Sequence, residues 1–321
     1  MGKLILKTAL LLLIVAAVLF FAAPFLTPKW VEGQVKNGGT YLTTTTDGFF
    51  ALEENSLDVL FLGSSQVLRD IDPVGLEEEY GLRAYCRATT IQPPAVTYYY
   101  LKNALKTQTP SIVVIEPASL YVKYNVDSNE AYVHYAFDTM PMDADKISAL
   151  WNTLRTSEKQ HALDYLFPAV YYHDRLLELT EFDWSYPFLE DKTDPSRGAI
   201  LLDDAAPQEF VPLTGASNTA EPYSEQSLHW YEKIADLCKK RGIRLVMLRT
   251  PRTTWTEEMH AADVAFAEAQ GIPLFDFNME QLYRETGLDA AVDFYDRTHL
   301  STTGAEKLTH CLGALLADLD D

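Results

Sequence analysis

Cysteine is scarce in this chain: Cys86, Cys238 and Cys311 are all there is, widely spaced and with no CxxC pair. An odd, sparse set argues against a disulfide framework, and no zinc-ligand spacing accompanies it. Cys238 and Cys311 fall on apolar positions of expected helices, where a thiol packs as a small hydrophobe. Positive charge is short as well, 26 Lys and Arg against 46 Asp and Glu, for a formal net charge of −20. Such a surface repels nucleic acid and anionic headgroups, so a phosphate-backbone partner is excluded. There is no internal repeat, and no low-complexity block beyond the Thr tract of "KNGGTYLTTTTDG". No His/Glu/Asp set has metal-ligand spacing, and neither a metal nor another cofactor is expected.

What is present is apolar. Of the 321 residues, 47% are hydrophobic and 12% aromatic, enough for a large core and too many for wholesale disorder. The N-terminal run "TALLLLIVAAVLFFAAPFL", Thr8 to Leu26, has 19 residues and no charge, and follows Lys3 and Lys7. That length suits a ~30 Å hydrocarbon core, and the lysines put the N-terminus on the cytoplasmic side. A cleaved signal peptide is the rival reading, with "FAA" as its small-residue site, but Pro24 directly after Ala22-Ala23 disfavours cleavage there. The expectation is therefore a single-pass anchor at 1–26, a juxtamembrane linker at 27–56 and an extracytoplasmic domain at 57–321.

From Leu57 onward short apolar runs alternate with helical patterns. "LDVLFLG", "GLRAYCRA", "SIVVIEP", "IRLVMLRTP" and "IPLFDFN" are expected as five strands. Helices are expected at "PPAVTYYYLKNALKT", at "SEQSLHWYEKIADLCKKRG" and "EEMHAADVAFAEAQG", each ended by a glycine, and at "TTGAEKLTHCLGALLADL", where Thr303 and Glu306 suggest a capping box. The pattern predicts an α/β fold with a doubly wound, five-stranded parallel sheet. Between strands three and four, about Tyr121 to Pro222, more than a hundred aromatic and acidic residues intervene. A gap of that length is expected to be a partly helical insertion over the strand ends rather than a bare loop.

Ligands in such sheets bind beyond the carboxyl ends of the strands. There the first strand runs into Gly63-Ser64-Ser65, at the mouth of a helix whose N–H groups and dipole favour a developing oxyanion. A helix cap is the alternative use of these serines. After the last strand, "DFYDRTHLSTTGA" places Asp296 three residues before His299. That spacing lets the carboxylate orient the ring so that Nε2 takes a proton from a serine hydroxyl; a surface salt bridge is the plain alternative.

Together "FLGSS" and "YDRTHLSTTGA" resemble the SGNH/GDSL hydrolase superfamily, across roughly 57–120 and 222–318. The resemblance implies a flavodoxin-like sheet, Ser65 as nucleophile with Ser64 in place of the family aspartate, and Asp296 and His299 as its partners. The Gly-Ser-Ser block, N-terminal anchor and long insertion look like the envelope-acylation branch of DltD-, AlgJ- and AlgX-like proteins. That implies an esterase or O-acyltransferase acting on a cell-envelope glycan, beside a multispanning membrane O-acyltransferase. The alternative is a catalytically degenerate accessory protein that binds glycan or that partner. The family's oxyanion glycine is absent from "CRATTIQPP", where Ala88 or Thr89 stands near its place, and "IEPAS" replaces the Gly-x-Asn-Asp block. Thr89 and Gln92 are then the side-chain candidates beside the Ser65 N–H.

Glu116 and Arg249, at the ends of strands three and four, are candidates for substrate binding, with Arg252 nearby; capping a helix is the other use for Glu116, and ion pairing with the acidic insertion the other use for the arginines. One or two of Tyr98, Tyr99 and Tyr100 suit sugar stacking, although core packing is the default. His173, Asp174 and Arg175 lie on a helical pattern where local pairing is expected.

Overall fold

The computed structural model describes residues 2–29, 45–118 and 120–320. In chain order the elements are α1 (Gly2–Leu26), α2 (Thr45–Phe50), β1 (Val59–Gly63), α3 (Ser65–Asp70), α4 (Pro73–Tyr80), β2 (Ala84–Ala88), α5 (Pro94–Ala104) and β3 (Ile112–Ile115). The insertion follows with α6 (Glu130–Asp138), α7 (Ala144–Leu154), α8 (Ala162–Leu166), α9 (Pro168–Tyr171) and α10 (Glu181–Ser185), and with 3-10 turns at His173–Leu177 and Tyr186–Phe188. The chain closes with α11 (Glu225–Arg241), β4 (Arg244–Arg249), α12 (Glu257–Gln270), β5 (Leu274–Asp276), α13 (Glu280–Thr286) and α14 (Thr302–Asp320).

All five strands are parallel, in the order β2-β1-β3-β4-β5. Apolar runs form these strands because both faces of the sheet are covered. Leu60, Leu62, Val113, Ile115, Leu245 and Met247 pack on one side with α5, α11 and the insertion. Val59, Phe61, Ile112, Val114, Val246 and Leu248 pack on the other with α3, α4 and α14. Gly242 and Gly271 end α11 and α12 in the left-handed conformation that their sequence positions suggested. The start of α14 differs. Its first turn includes Thr303, and Ser301 Oγ accepts from Gly304 N–H at 3.3 Å, so Ser301 serves as the cap in place of Thr303.

The expected linker is shorter than 27–56. Residues 30–44 lie outside the described residues, but α2 belongs to the globular unit. Phe49 is fully buried, 5.3 Å from the Tyr85 ring, and Thr46 Oγ1 accepts from Arg87 Nη1 at 2.8 Å. The Arg87 guanidinium is itself buried over the Phe49 and Tyr100 rings, at 4.9 and 4.3 Å. α1, in which an 18-residue stretch has a mean hydropathy of 2.9, is long and apolar enough to cross a membrane.

The insertion divides its work. Its helices pack against α5 and α1 rather than over the strand ends: Lys102 of α5 and Lys106 just after it pair with Asp145 and Asp143, and Tyr100 Oη donates to Ala136 O. Its extended return, 197–213, crosses the carboxyl edge of the sheet. Cys86 N–H donates to Arg197 O, Ile200 N–H to Leu68 O and Leu213 N–H to Asn278 O, so the return runs from β2 past α3 toward β5. Gly198 permits this approach: its φ is +84°, and a Cβ at this position would lie only 2.1 Å from Cys86 O. Gly198→Ala is expected to cost about 1–3 kcal/mol from backbone strain alone, more with the clash, measured as a lowered denaturation midpoint.

Candidate functional site

β1 delivers the serines to the sheet edge. Gly63 is needed there because a Cβ would lie 2.6 Å from the Val67 side chain and 2.9 Å from Glu116 O. Ser64 sits at the cap position of α3 but makes no side-chain cap bond; its hydroxyl donates to Gln66 Oε1 at 3.2 Å. Ser65 begins the helix and is nearly buried. Val67 and Leu68 N–H donate to Ser64 O, leaving the N–H groups of Ser65 and Gln66 as the ones without a helical acceptor.

The loop between α13 and α14 brings the second half. Phe294 and Leu300 form an antiparallel bridge, which closes the loop on itself. Inside it, Asp296 Oδ1 accepts from the N–H groups of Thr298 at 2.7 Å and His299 at 2.9 Å, an Asx-type turn that fixes the carboxylate. Asp296 Oδ2 then lies 2.9 Å from His299 Nδ1, and Ser65 Oγ lies 2.9 Å from His299 Nε2. With Nδ1–H donated to Asp296, Nε2 is free to accept the Ser65 hydroxyl proton. Partial burial pushes the Asp296 carboxyl up, but the His299 ring and the Thr298 N–H outweigh it and hold the group below the ordinary aspartate range. Residues 234 apart in sequence thus form one relay able to deprotonate Ser65.

Asp70 holds that loop from below. Its fully buried carboxylate accepts from Leu300 N–H at 2.8 Å and Thr250 Oγ1 at 2.6 Å. Burial is the larger effect and raises its pKa from 3.8 to about 7, against the His299 charge and the two hydrogen bonds. A carboxyl with a raised folded pKa contributes stability that is full below its unfolded value and is lost as pH rises through the folded one. The stability of the wild type relative to Asp70→Asn is therefore expected to decline between pH 3.8 and about 7, as followed by urea unfolding at stepped pH.

A cavity of about 430 Å³ opens over Ser65 and His299. Its walls are Arg69 and Thr90 on one side, Tyr295 and Asp296 on another, and Leu201 to Asp204 of the insertion's return. Thr302 Oγ1 donates to Asp203 at 2.9 Å and Thr302 N–H to Leu202 O, which fastens that wall to the start of α14.

Four other sequence candidates lie elsewhere. Thr89 and Gln92 are buried and bonded to each other at 3.1 Å, with Gln92 Nε2 donating onward to Thr97 at 2.9 Å; neither lines the cavity, whereas the neighbouring Thr90 does. Glu116 and Arg249 are fully buried and do not line it either. Arg249 donates to Glu116 Oε1 at 2.8 Å and to both oxygens of Asp263, while Arg252 also reaches Glu116. Their ion pairs are with Glu116 just after β3 and Asp263 of α12, not with the insertion, and they fasten the sheet edge. Tyr98 and Tyr99 pack on Trp230, and Arg175 pairs with Asp183 at 3.1 Å. Sequence reasoning missed Arg69, Thr90 and the return segment. Arg69 had a signal, lying one helical turn after Ser65; the return segment had none, because nothing local in it points to the sheet edge.

No family model matches this chain, and no curated protein does. Among solved structures, a Bacteroides fragilis crystal structure described as a "putative acylhydrolase" aligns over 88% of this chain and 99% of its own, at 8% identity and a TM-score of 0.40.

Proposed function

We propose that this chain is a membrane-anchored, extracytoplasmic serine esterase or O-acyltransferase acting on acyl groups of a cell-envelope glycan. The observation that carries the reading is the single histidine within hydrogen-bond reach of both Ser65 Oγ and the Asp296 carboxylate. The motif resemblance to SGNH hydrolases, and in particular to their envelope-acylation branch, points the same way. α1 supports the anchor, with Lys3 and Lys7 on the cytoplasmic side.

In this mechanism Ser65 Oγ attacks the acyl carbonyl carbon while His299 Nε2 takes its proton. The resulting oxyanion faces the Ser65 and Gln66 N–H groups at the start of α3. Collapse breaks the ester bond, and His299 returns the proton to the departing alkoxide. Water or a sugar hydroxyl, deprotonated by His299, then attacks the acyl-Ser65 carbonyl, and His299 returns that proton to Ser65 Oγ as the acyl group leaves it. The polar walls of the cavity, Arg69, Thr90, Asp203 and Asp204, suit a hydroxyl-rich substrate better than a lipid chain. A multispanning membrane O-acyltransferase is the proposed acyl donor or acceptor partner.

A second reading, an accessory protein without catalysis, draws on the engagement of Thr89 and Gln92 with each other. A fluorophosphonate probe separates the two. Labelling of the folded wild type that vanishes in Ser65→Ala supports the enzyme; an unlabelled, folded wild type supports the accessory.

A further inference from the structure

α1 does not leave the domain at a bare tether. Its last two turns pack against the insertion: Leu26 is buried with Ala169 and Tyr172, and Leu19, Ala22 and Ala23 pack against the same cluster. The Phe25 ring lies 5.1 Å from Trp184 and 6.0 Å from Phe188. Arg175 Nη1 donates to Leu26 O, and Lys29 Nζ lies 3.7 Å from Asp183. An apolar groove of about 480 Å³ runs between Ile14, Val18 and Phe21 of α1 and Leu176, Leu179 and Trp184 of the insertion.

The depth of this contact follows from the charges. Lys7 is the last charged residue before the apolar run and Lys29 the first after it. A ~30 Å hydrocarbon core takes about 20 residues at 1.5 Å each, which places its outer boundary near Leu26 and Thr27. Leu19 to Leu26 then occupy the outer ~10 Å of that core, and whatever packs beside them shares their depth. The insertion presents Leu176, Leu177, Trp184 and Phe188 there, all exposed among the described residues, Leu177 at 95%. Large apolar side chains grouped beside an apolar span match the aromatic and aliphatic face of an interfacial segment. Asp174, Glu178 and Glu181 on the same stretch favour a shallow seat held by apolar contact over attraction to anionic headgroups.

We infer that the segment Ala162–Phe188 is a second membrane contact, seated in the outer leaflet beside α1 with phospholipid acyl chains covering Leu176, Leu177, Trp184 and Phe188. The inference rests on α1 being a membrane anchor. It makes the insertion a monotopic foot that fixes the height and tilt of the domain, where a single flexible tether would fix neither.

The test uses the full chain, with Cys311→Ser, in vesicles of phosphatidylethanolamine and phosphatidylcholine. Nitroxides are placed at Leu177→Cys and Phe188→Cys, at Val15→Cys within α1, and at Val211→Cys, which is 83% exposed. Labels at 177 and 188 are expected to collide with oxygen several-fold more readily than with a water-soluble nickel chelate, as at 15, with the reverse at 211. Nickel access at 177 and 188 equal to that at 211, with 15 in lipid, overturns the foot and leaves the anchor standing. Nickel access at 15 overturns the anchor and the foot with it. Shielding of 177 and 188 from both reagents also overturns it, since residues 30–44, a second copy or another protein then covers the face. Because Leu177 makes little contact, its substitution tests the surface without testing folding.

Discussion

Ser65→Ala and His299→Ala are each expected to lower turnover of an activated acyl ester by roughly 10⁶-fold in kcat, the scale for losing either member of a serine–histidine pair. The double variant is expected to lose little more, because the two act as one unit. Asp296→Ala is expected to cost less, at or below roughly 10⁴-fold. One feature of the loop sets that order, and a second limits the difference. Asp296 keeps 43% of its side chain exposed, so solvent screens part of its effect on the ring. Asp296 also holds the loop through the Thr298 and His299 N–H groups, so its removal loosens the ring as well as removing the charge. Steady-state kinetics with circular dichroism as a folding control checks all three. A Ser65→Ala variant with wild-type turnover would sink the proposed mechanism.

Arg249→Met is expected to destabilise the fold by about 3–5 kcal/mol, the range for removing one partner of a buried ion pair. Arg249 is the hub: it engages Glu116 at the end of β3 and Asp263 on α12, and all three are fully buried. Burial lowers the pKa of the guanidinium, yet the Asp263 and Glu116 carboxylates outweigh it and hold the group charged. Without it, Asp263 faces a low-dielectric interior with no cation against it, and burial already raises its pKa. Arg252→Met is expected to cost less, since Glu116 retains Arg249. Arg249→Met with Asp263→Leu is expected to recover part of the loss, because the stranded charge is gone. Urea unfolding of the three variants, with unchanged m-values, measures the comparison.

Local pattern carried far. The five strands were legible because strands buried on both faces need continuous apolar runs, and Gly242 and Gly271 marked helix ends through their left-handed preference. Ser65, Asp296 and His299 were legible because Gly63 and the Asp-x-x-His spacing are short-range requirements of a strand-to-helix turn and an Asx turn. α2 was not legible. Its six residues begin inside a Thr tract with no sustained period, and it is held by Phe49 against Tyr85 rather than by its own propensity.

The sequence by itself determined the parallel sheet, the apolar N-terminal helix and the identity of the serine, aspartate and histidine at the sheet edge. Only the tertiary structure decided what surrounds them. Glu116 and Arg249 looked like cleft residues from their strand ends, but their partners lie up to 136 positions away, and such distances leave no trace in local composition. The same holds for the return segment 197–213, which walls the cavity through hydrogen bonds to partners far along the chain. The proposed foot beside α1 has the same origin, because exposed Leu177 and Trp184 gain meaning only from the helix they stand next to. Periodicity and turn chemistry act over a few residues; burial, ion pairing and the walls of a cavity depend on which distant segments meet.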